Sequence, residues 1–170
     1  KSKKDAFISQ FLLALQSAKK PLVLAGHGVQ TSNSREVFLQ FVEQFHLPVV
    51  TSLLGFDSIP YDHPDRVGFI GTYGNRWANF AMGESDVLLV LGSRLDLRQT
   101  GADVDSFVRG KKIFHVDIDE AELNNRVEDC IVLHADVSEF LSSITATNNI
   151  EHHFVEWRED IDSAYQRRRD

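Results

Sequence analysis

Residues 86–92 read DVLLVLG. Five aliphatic side chains in a row, Val87 to Leu91, stand between an acid and a glycine. A strand open to water on one face alternates apolar with polar residues. This run does not alternate, so both of its faces must be covered. The same grammar recurs on either side of it, in LVLAG (22–26), VVTSLL (49–54), KIFHVDID (112–119) and CIVLHAD (130–136). Segments of helical period separate these runs. Residues 5–18 put Phe7, Ile8, Phe11, Leu12 and Leu15 on one stripe. Ser32, Asn33 and Ser34 offer N-caps for a helix to about Phe45, with Val37, Phe38, Phe41, Val42 and Phe45 inward. Asn75 is placed to cap a helix through Gly83, a short helix follows from Glu120, and another runs from Val137 to Ile144. Residues 55–74, rich in Gly, Pro and Asp, read as a long irregular stretch.

Strands alternating with helices predict an α/β fold: a doubly wound, Rossmann-like parallel sheet of about six strands with helices on both faces. The chain has 170 residues, 42% hydrophobic and 25% charged, which fits one domain with a real core. We expect the domain to cover 1–146, with its leading helix at 5–18, and residues 147–170 to form a linker and a connector helix. That last helix carries Phe154, Trp157, Ile161 and Tyr165 on one face and ends in Arg167-Arg168-Arg169. Lys and Arg number 18 against 25 Asp and Glu, a net charge of −7. An acidic chain is repelled by nucleic-acid and anionic-lipid phosphates, so neither a nucleic acid nor a membrane is expected as a partner. The single cysteine, Cys130, excludes an internal disulfide and fits a cytoplasmic location. The absence of an initiator Met suggests a piece of something longer.

In such sheets ligands sit beyond the carboxyl ends of the strands. Small, polar and acidic residues gather there. Gly26-His27-Gly28 leads from a strand into a helix, where glycine lets backbone N–H groups approach an anion; a plain tight turn is the other reading. Thr31 stands where the nicotinamide fingerprint needs its third glycine, and Thr51 ends the second strand without an acid for a ribose. A standard dinucleotide dehydrogenase is therefore not expected. In GSRLDLRQTG (92–101), Arg94 and Arg98 could meet a phosphate and Asp96 could orient one of them; a surface ion-pair network is the alternative. Asp117 at a strand end could accept from both hydroxyls of a ribose, while Asp119 is assigned to capping the turn from Glu120. His115 and His134 read as core or inter-strand residues, and His152-His153 as solvated linker. No serine or cysteine nucleophile has a plausible base.

Taken together, KPLVLAGHGV (20–29), LPVVTSLLG (47–55), YDHPDRVGFIGTYG (61–74), ESDVLLVLGSRLDLRQTG (84–101), KIFHVDID (112–119) and VLHADV (132–137) resemble the central domain of thiamine-diphosphate-dependent enzymes, most closely the acetolactate synthase branch. The resemblance implies a parent 2-keto-acid carboligase or decarboxylase. Its thiamine diphosphate and magnesium would lie in flanking pyrimidine- and diphosphate-binding domains, and the parent would be a homodimer or homotetramer. The GDG…NN motif that holds magnesium is absent here, so no catalytic or metal-binding residue is expected in this chain. In the acetolactate synthase branch the central domain binds FAD without redox use; other branches bind ADP or nothing. The resemblance maps cofactor contacts onto Gly26, His27, Gly28, Ser52, Leu53, Leu54, Gly71, Thr72, Tyr73, Gly74, Gly92, Ser93, Arg94, Asp96, Arg98, Asp117, Ile118, Ala135 and Asp136. The sequence departs from the family pattern at His27 and Ala135, where glycine is usual, and at Phe56-Asp57, where Lys-Gly is common. A stand-alone FAD or nucleotide-binding module of the same fold is the competing reading. An NAD-consuming deacylase is a third, but one cysteine cannot supply its usual zinc module.

Overall fold

The computed structural model describes residues 2–147 and 153–167. Part of the linker (148–152, with His152) and Arg168-Arg169 lie outside the described residues. Among those described, the order is α1 (Lys3–Ser17), β1 (Pro21–Ala25), α2 (Gly28–Thr31), α3 (Arg35–Phe45), β2 (Val49–Thr51), β3 (Arg66–Phe69), α4 (Arg76–Glu84) and β4 (Val87–Leu91). Then come α5 (Leu97–Thr100), α6 (Val104–Val108), β5 (Lys112–Asp117), β6 (Ile131–His134), α7 (Val137–Thr145) and α8 (Val155–Gln166). The strands form one six-stranded parallel sheet in the order β3-β2-β1-β4-β5-β6. The chain steps outward from β1 through β2 to β3. It then returns beside β1 at β4 and steps outward the other way. This is the doubly wound topology expected from the sequence, and its reversal lies between β1 and β4.

The strand period of two divides the core. Val23, Ala25, Val49, Leu89, Leu91, Phe114, Val116 and Leu133 face one side, against α1, α3 and α7. Leu22, Leu24, Val50, Leu88, Val90 and Ile113 face the other, against α4 and α8. On the first side Phe114 is held edge-on by Phe7 (5.6 Å) and Phe11 (5.3 Å), the offset arrangement that aromatic quadrupoles favour. On the second, Trp157 and Ile161 of α8 are buried, and Trp157 Nε1 donates to the Pro21 carbonyl at 2.8 Å. Arg158 adds an ion pair to buried Asp65 and donates to the His46 carbonyl. The helix read from the sequence as a connector is thus built into the second core layer.

Three boundaries differ from the sequence reading. The second strand stops at Thr51, and Leu53–Ser58 winds as a 3-10 helix, started by Ser52 Oγ accepting from Gly55 N at 3.1 Å. The stretch 55–74 is not wholly irregular, since β3 lies inside it and supplies the edge strand. The fifth strand ends at Asp117, two residues early, because the Asp117 carboxylate turns back to accept from Asp119 N at 2.9 Å. Ser34 and Asn75 do precede α3 and α4, but neither side chain caps its helix. Asn75 Oδ1 instead accepts from Phe69 N at 3.0 Å, tying the end of β3 to the start of α4.

Candidate functional site

The reversal between β1 and β4 opens a crevice at the carboxyl end of the sheet. Its floor is backbone against backbone. Gly26 N donates to Leu91 O (2.8 Å), Gly28 N to Gly92 O (3.0 Å) and Gly92 N to Val116 O (2.9 Å). A methyl on Gly28 would stand 2.6 Å from Gly92 Cα, and Gly92 itself sits at φ +62°. These glycines are required by close approach of two chain segments. Of the backbone donors that the sequence reading offers to an anion, three are engaged within the turn. Gly28 N is spent on Gly92 O, Val29 N on Gly26 O (3.2 Å) and Gln30 N on His27 O (3.0 Å), and α2 is a single turn.

Two cavities open above the floor. The first, about 300 Å³, is lined by Ser52, Leu53, Leu54, the Phe69–Gly74 loop, Ser93, Asp96, Arg98 and Gln99. The second, about 450 Å³, is lined by Gly28, Thr31, Ser32, Asp117, Ile118, Asp119, Glu122, Asp136 and Val137. His27, Leu54, Gly92 and Arg94 border both, so they form the waist between the chambers. At that waist His27 Nδ1 lies 3.3 Å from the Leu54 carbonyl, linking the β1–α2 turn to the 3-10 helix. The rim of the first chamber is apolar and open to water, with Leu54 68% and Tyr73 91% exposed. Asn79 fixes the loop between, accepting from Gly71 N and donating to Gly71 O, both at 3.0 Å.

The loop after β4 is strained and held. Leu95 takes φ +52°, a backbone state costing a non-glycine residue about 1–3 kcal/mol, and its buried side chain anchors the strain in the core. Ser93 Oγ donates to Gln99 Oε1 (2.6 Å), and the Ser93 carbonyl accepts from His115 Nε2 (2.7 Å). His115 therefore carries its proton on Nε2. Burial drives its pKa below the ordinary histidine value, against opposing pulls from Ser93 and Asp117. It is the core histidine expected from the sequence, with the added role of fixing this loop. Asp96 caps α5 by accepting from Arg98 N (3.0 Å) and Gln99 N (3.3 Å). Arg94, 74% exposed at its side chain, lies 3.9 Å from Glu122.

In the second chamber Asp117 is buried at the strand end, and Ile118 lies exposed beside it. Asp119 caps the Glu120–Glu122 turn through Ala121 N (3.0 Å), as expected. Asp136 caps α7 through Ser138 N (2.8 Å). Four carboxylates, Asp117, Asp119, Glu122 and Asp136, face this chamber against one arginine, Arg94. No cluster of three or more metal-ligating side chains occurs among the described residues. Cys130 is buried away from the crevice, its thiol pushed up to about 11 chiefly by burial.

The structure thus brings the sequence-selected residues to one crevice, except Gly26, which lies in its floor, and Ala135, whose N–H is bonded to Asp117 O at 3.1 Å. The sequence reading missed Thr31, Ser32, Phe69, Ile70, Gln99, Glu122 and Val137. Gln99 stands inside the quoted 92–101 string and could have been taken with it. Phe69 and Ile70 likewise stand inside the quoted 61–74 string and Val137 ends the quoted 132–137 string, whereas Thr31, Ser32 and Glu122 reach the walls only through the fold.

The model of the thiamine pyrophosphate enzyme central domain matches residues 8–144. The chain belongs to this family. The match takes in all six strands, the crevice at the reversal and the Gly92–Gly101 loop. Similar curated proteins include a probable acetolactate synthase large subunit of Methanococcus aeolicus, 34% identical over 92% of this chain and 28% of the relative. Another is the acetolactate synthase large subunit of Lactococcus lactis, 34% identical over 90% of this chain and 26% of the relative. A third is the chloroplastic acetolactate synthase 1 of Zea mays, 32% identical over 91% and 25%. The central domain described here spans about a quarter of the length of the curated relatives it matches.

Proposed function

We propose that this chain is the central domain of a thiamine-diphosphate-dependent 2-keto-acid carboligase or decarboxylase of the acetolactate synthase type, a transferase or lyase, and that it is not catalytic by itself. The family match over residues 8–144 carries the reading. The chemistry of the parent, with its thiamine diphosphate and magnesium, belongs to flanking domains and to a homodimeric or homotetrameric assembly in the cytoplasm. No helix among the described residues is long and apolar enough to cross a membrane. In the crevice we propose FAD or ADP. The residues fit such a group. The first chamber offers apolar walls for a ring and the second offers Asp117 for ribose hydroxyls, with Arg94 at the waist. Both volumes lie in the range of about 300–1,000 Å³ that small-ligand pockets occupy. FAD bound here would serve to hold the fold together.

The test is a comparison of this chain with the full-length product of its gene, each given pyruvate, thiamine diphosphate and magnesium. The full-length protein is expected to form acetolactate or release carbon dioxide, and this chain to do neither. Turnover by this chain above a buffer blank would sink the reading of a non-catalytic middle domain.

A further inference from the structure

We propose that Gln99 is a specificity-determining residue of the first chamber: its side-chain amide is a pinned hydrogen-bond donor that reads a carbonyl oxygen on a flat, uncharged ring seated there. The proposal rests on the reading of FAD in the crevice given above and deepens it at one residue. Three observations carry it. First, Gln99 lines the first chamber and not the second, and Leu53, Leu54, Phe69 and Ile70 give that chamber its apolar walls. Second, the amide is held. Ser93 Oγ accepts from Leu95 N at 3.4 Å and donates to Gln99 Oε1 at 2.6 Å, while His115 Nε2 donates to the Ser93 carbonyl at 2.7 Å. Third, the amide nitrogen is left over. With Oε1 taken by Ser93, the side chain offers only the two N–H groups on Nε2. Neither has a partner among the described residues, and the half-buried side chain leaves that nitrogen open to water rather than sealed in the core.

Other donors border the chamber, and they suit other parts of a ligand. Arg94 and Arg98 carry full charge on exposed side chains, so they favour an anion, and water competes for them at the rim. The backbone N–H groups of His27, Ser93 and Arg94 are also without a partner among the described residues, but they belong to the turns after β1 and β4, at the boundary of the two chambers. Asp96 can only accept, and its Oδ1 is spent on the start of α5. A neutral amide already fixed by Ser93 is the donor matched to a neutral ring, because it loses little side-chain freedom on binding. Such a donor is selective. A ring carbonyl completes the bond, whereas a ring N–H at the same place sets donor against donor. The flavin ring carries carbonyl oxygens, and ADP, with its adenosine in the second chamber, puts no ring in the first. Gln99 thereby acts on FAD and not on ADP.

The test is calorimetric titration of this chain and of its Gln99→Leu and Gln99→Glu variants with FAD and with ADP, together with the infrared carbonyl stretches of bound FAD. Gln99→Leu keeps the bulk and removes the donor. It is expected to weaken FAD about three- to ten-fold, the worth of a neutral hydrogen bond, and to leave ADP unchanged. Gln99→Glu keeps an oxygen for Ser93 Oγ and loses both N–H groups. Its added charge bears on the diphosphate of both ligands, so the FAD-to-ADP affinity ratio is the quantity read, and that ratio should fall at least as far as in Gln99→Leu. A flavin carbonyl stretch should move to higher frequency in both variants as its hydrogen bond is lost. A native FAD-to-ADP ratio in Gln99→Glu would overturn the proposal and leave Gln99 as a brace for the loop. Equal losses of FAD and ADP in Gln99→Leu would overturn it as well, as would unchanged FAD affinity or carbonyl stretches that stay in place. If the unmodified chain binds ADP but not FAD, the first chamber takes no flavin, and this proposal falls while the adenosine half of the reading stands. If it binds neither ligand at millimolar concentration, the nucleotide reading fails and this proposal falls with it.

Discussion

A methyl group at residue 92 has nowhere to go. Gly92 holds φ +62°, and its added Cβ would meet the backbone of Gly28. The left-handed state costs a non-glycine residue about 1–2 kcal/mol, and the clash adds to it. Gly92→Ala is expected to lose at least about 2 kcal/mol, a fall of roughly 4–8 °C in Tm for a chain this size. Gly83 gives the contrast. It lies in α4 with nothing within 4 Å of an added Cβ. Gly83→Ala should gain about 0.5–1 kcal/mol by restricting the unfolded chain. Thermal melts of the pair decide the matter; equal effects at both positions would remove the crevice floor from the argument. His115 supplies a pH prediction. Burial holds its folded pKa below the ordinary value. The unfolded chain then binds more protons than the folded one once pH falls below about 6.5, so the neutral-histidine contribution is complete above that pH and is lost as pH falls through it. Urea midpoints measured at pH 7.5 and 5.5 should drop more for the native chain than for His115→Gln, which keeps a donor for Ser93 O. Parallel drops would show that another group sets the acid sensitivity.

At the scale of elements, α8 carries the sharpest expectation. Its Trp157 fills the second core layer and bonds to the start of β1, so the helix ties residues far apart in sequence. Trp157→Ala is expected to cost about 3–5 kcal/mol, the range for deleting a buried large aromatic. A chemical-denaturation midpoint within error of the native chain would instead mark α8 as a loosely attached connector. The element scale also shows what the sequence could express. Strands β1, β2, β4, β5 and β6 were legible because each carries a run of apolar residues, of which Val87–Leu91 is buried throughout. Strand β3 was not. It has four residues at the sheet edge, Gly68 interrupts it at φ +153°, and its register with β2 shifts between Val49 and Val50. The other edge strand, β6, keeps the apolar run Ile131-Val132-Leu133, whereas β3 reads Arg66-Val67-Gly68-Phe69 and has no such run. The Leu53–Ser58 turn was likewise hidden, because Leu53 and Leu54 extend the apolar run of β2 while their side chains open to water. At the crevice, residues in contiguous strings were legible. Walls contributed by α2, α7 and the turn after β5 appear only when the sheet brings them together.

At the scale of the whole molecule, the crevice is open on the side where Leu53, Leu54 and Tyr73 are exposed. FAD and ADP share the adenosine half, which this chain can enclose through Asp117, Ile118 and Arg94. FAD adds a flavin ring that would rest on the open rim. Burial of apolar surface stabilises by about 25 cal/mol per Å², so leaving ~100 Å² of ring in water forfeits about 2.5 kcal/mol, close to a hundred-fold in affinity. This chain is therefore expected to bind FAD no more tightly than ADP, whereas the full-length protein should prefer FAD if the flanking domains proposed above cover the ring. Titrating both proteins with both ligands makes the comparison. Arg94→Ala and Asp117→Ala should each weaken ADP and FAD alike in this chain, since both act on the shared half. FAD binding far tighter than ADP binding in this chain would mean that the domain encloses the whole cofactor alone, and would favour the stand-alone nucleotide module over a domain that depends on its neighbours.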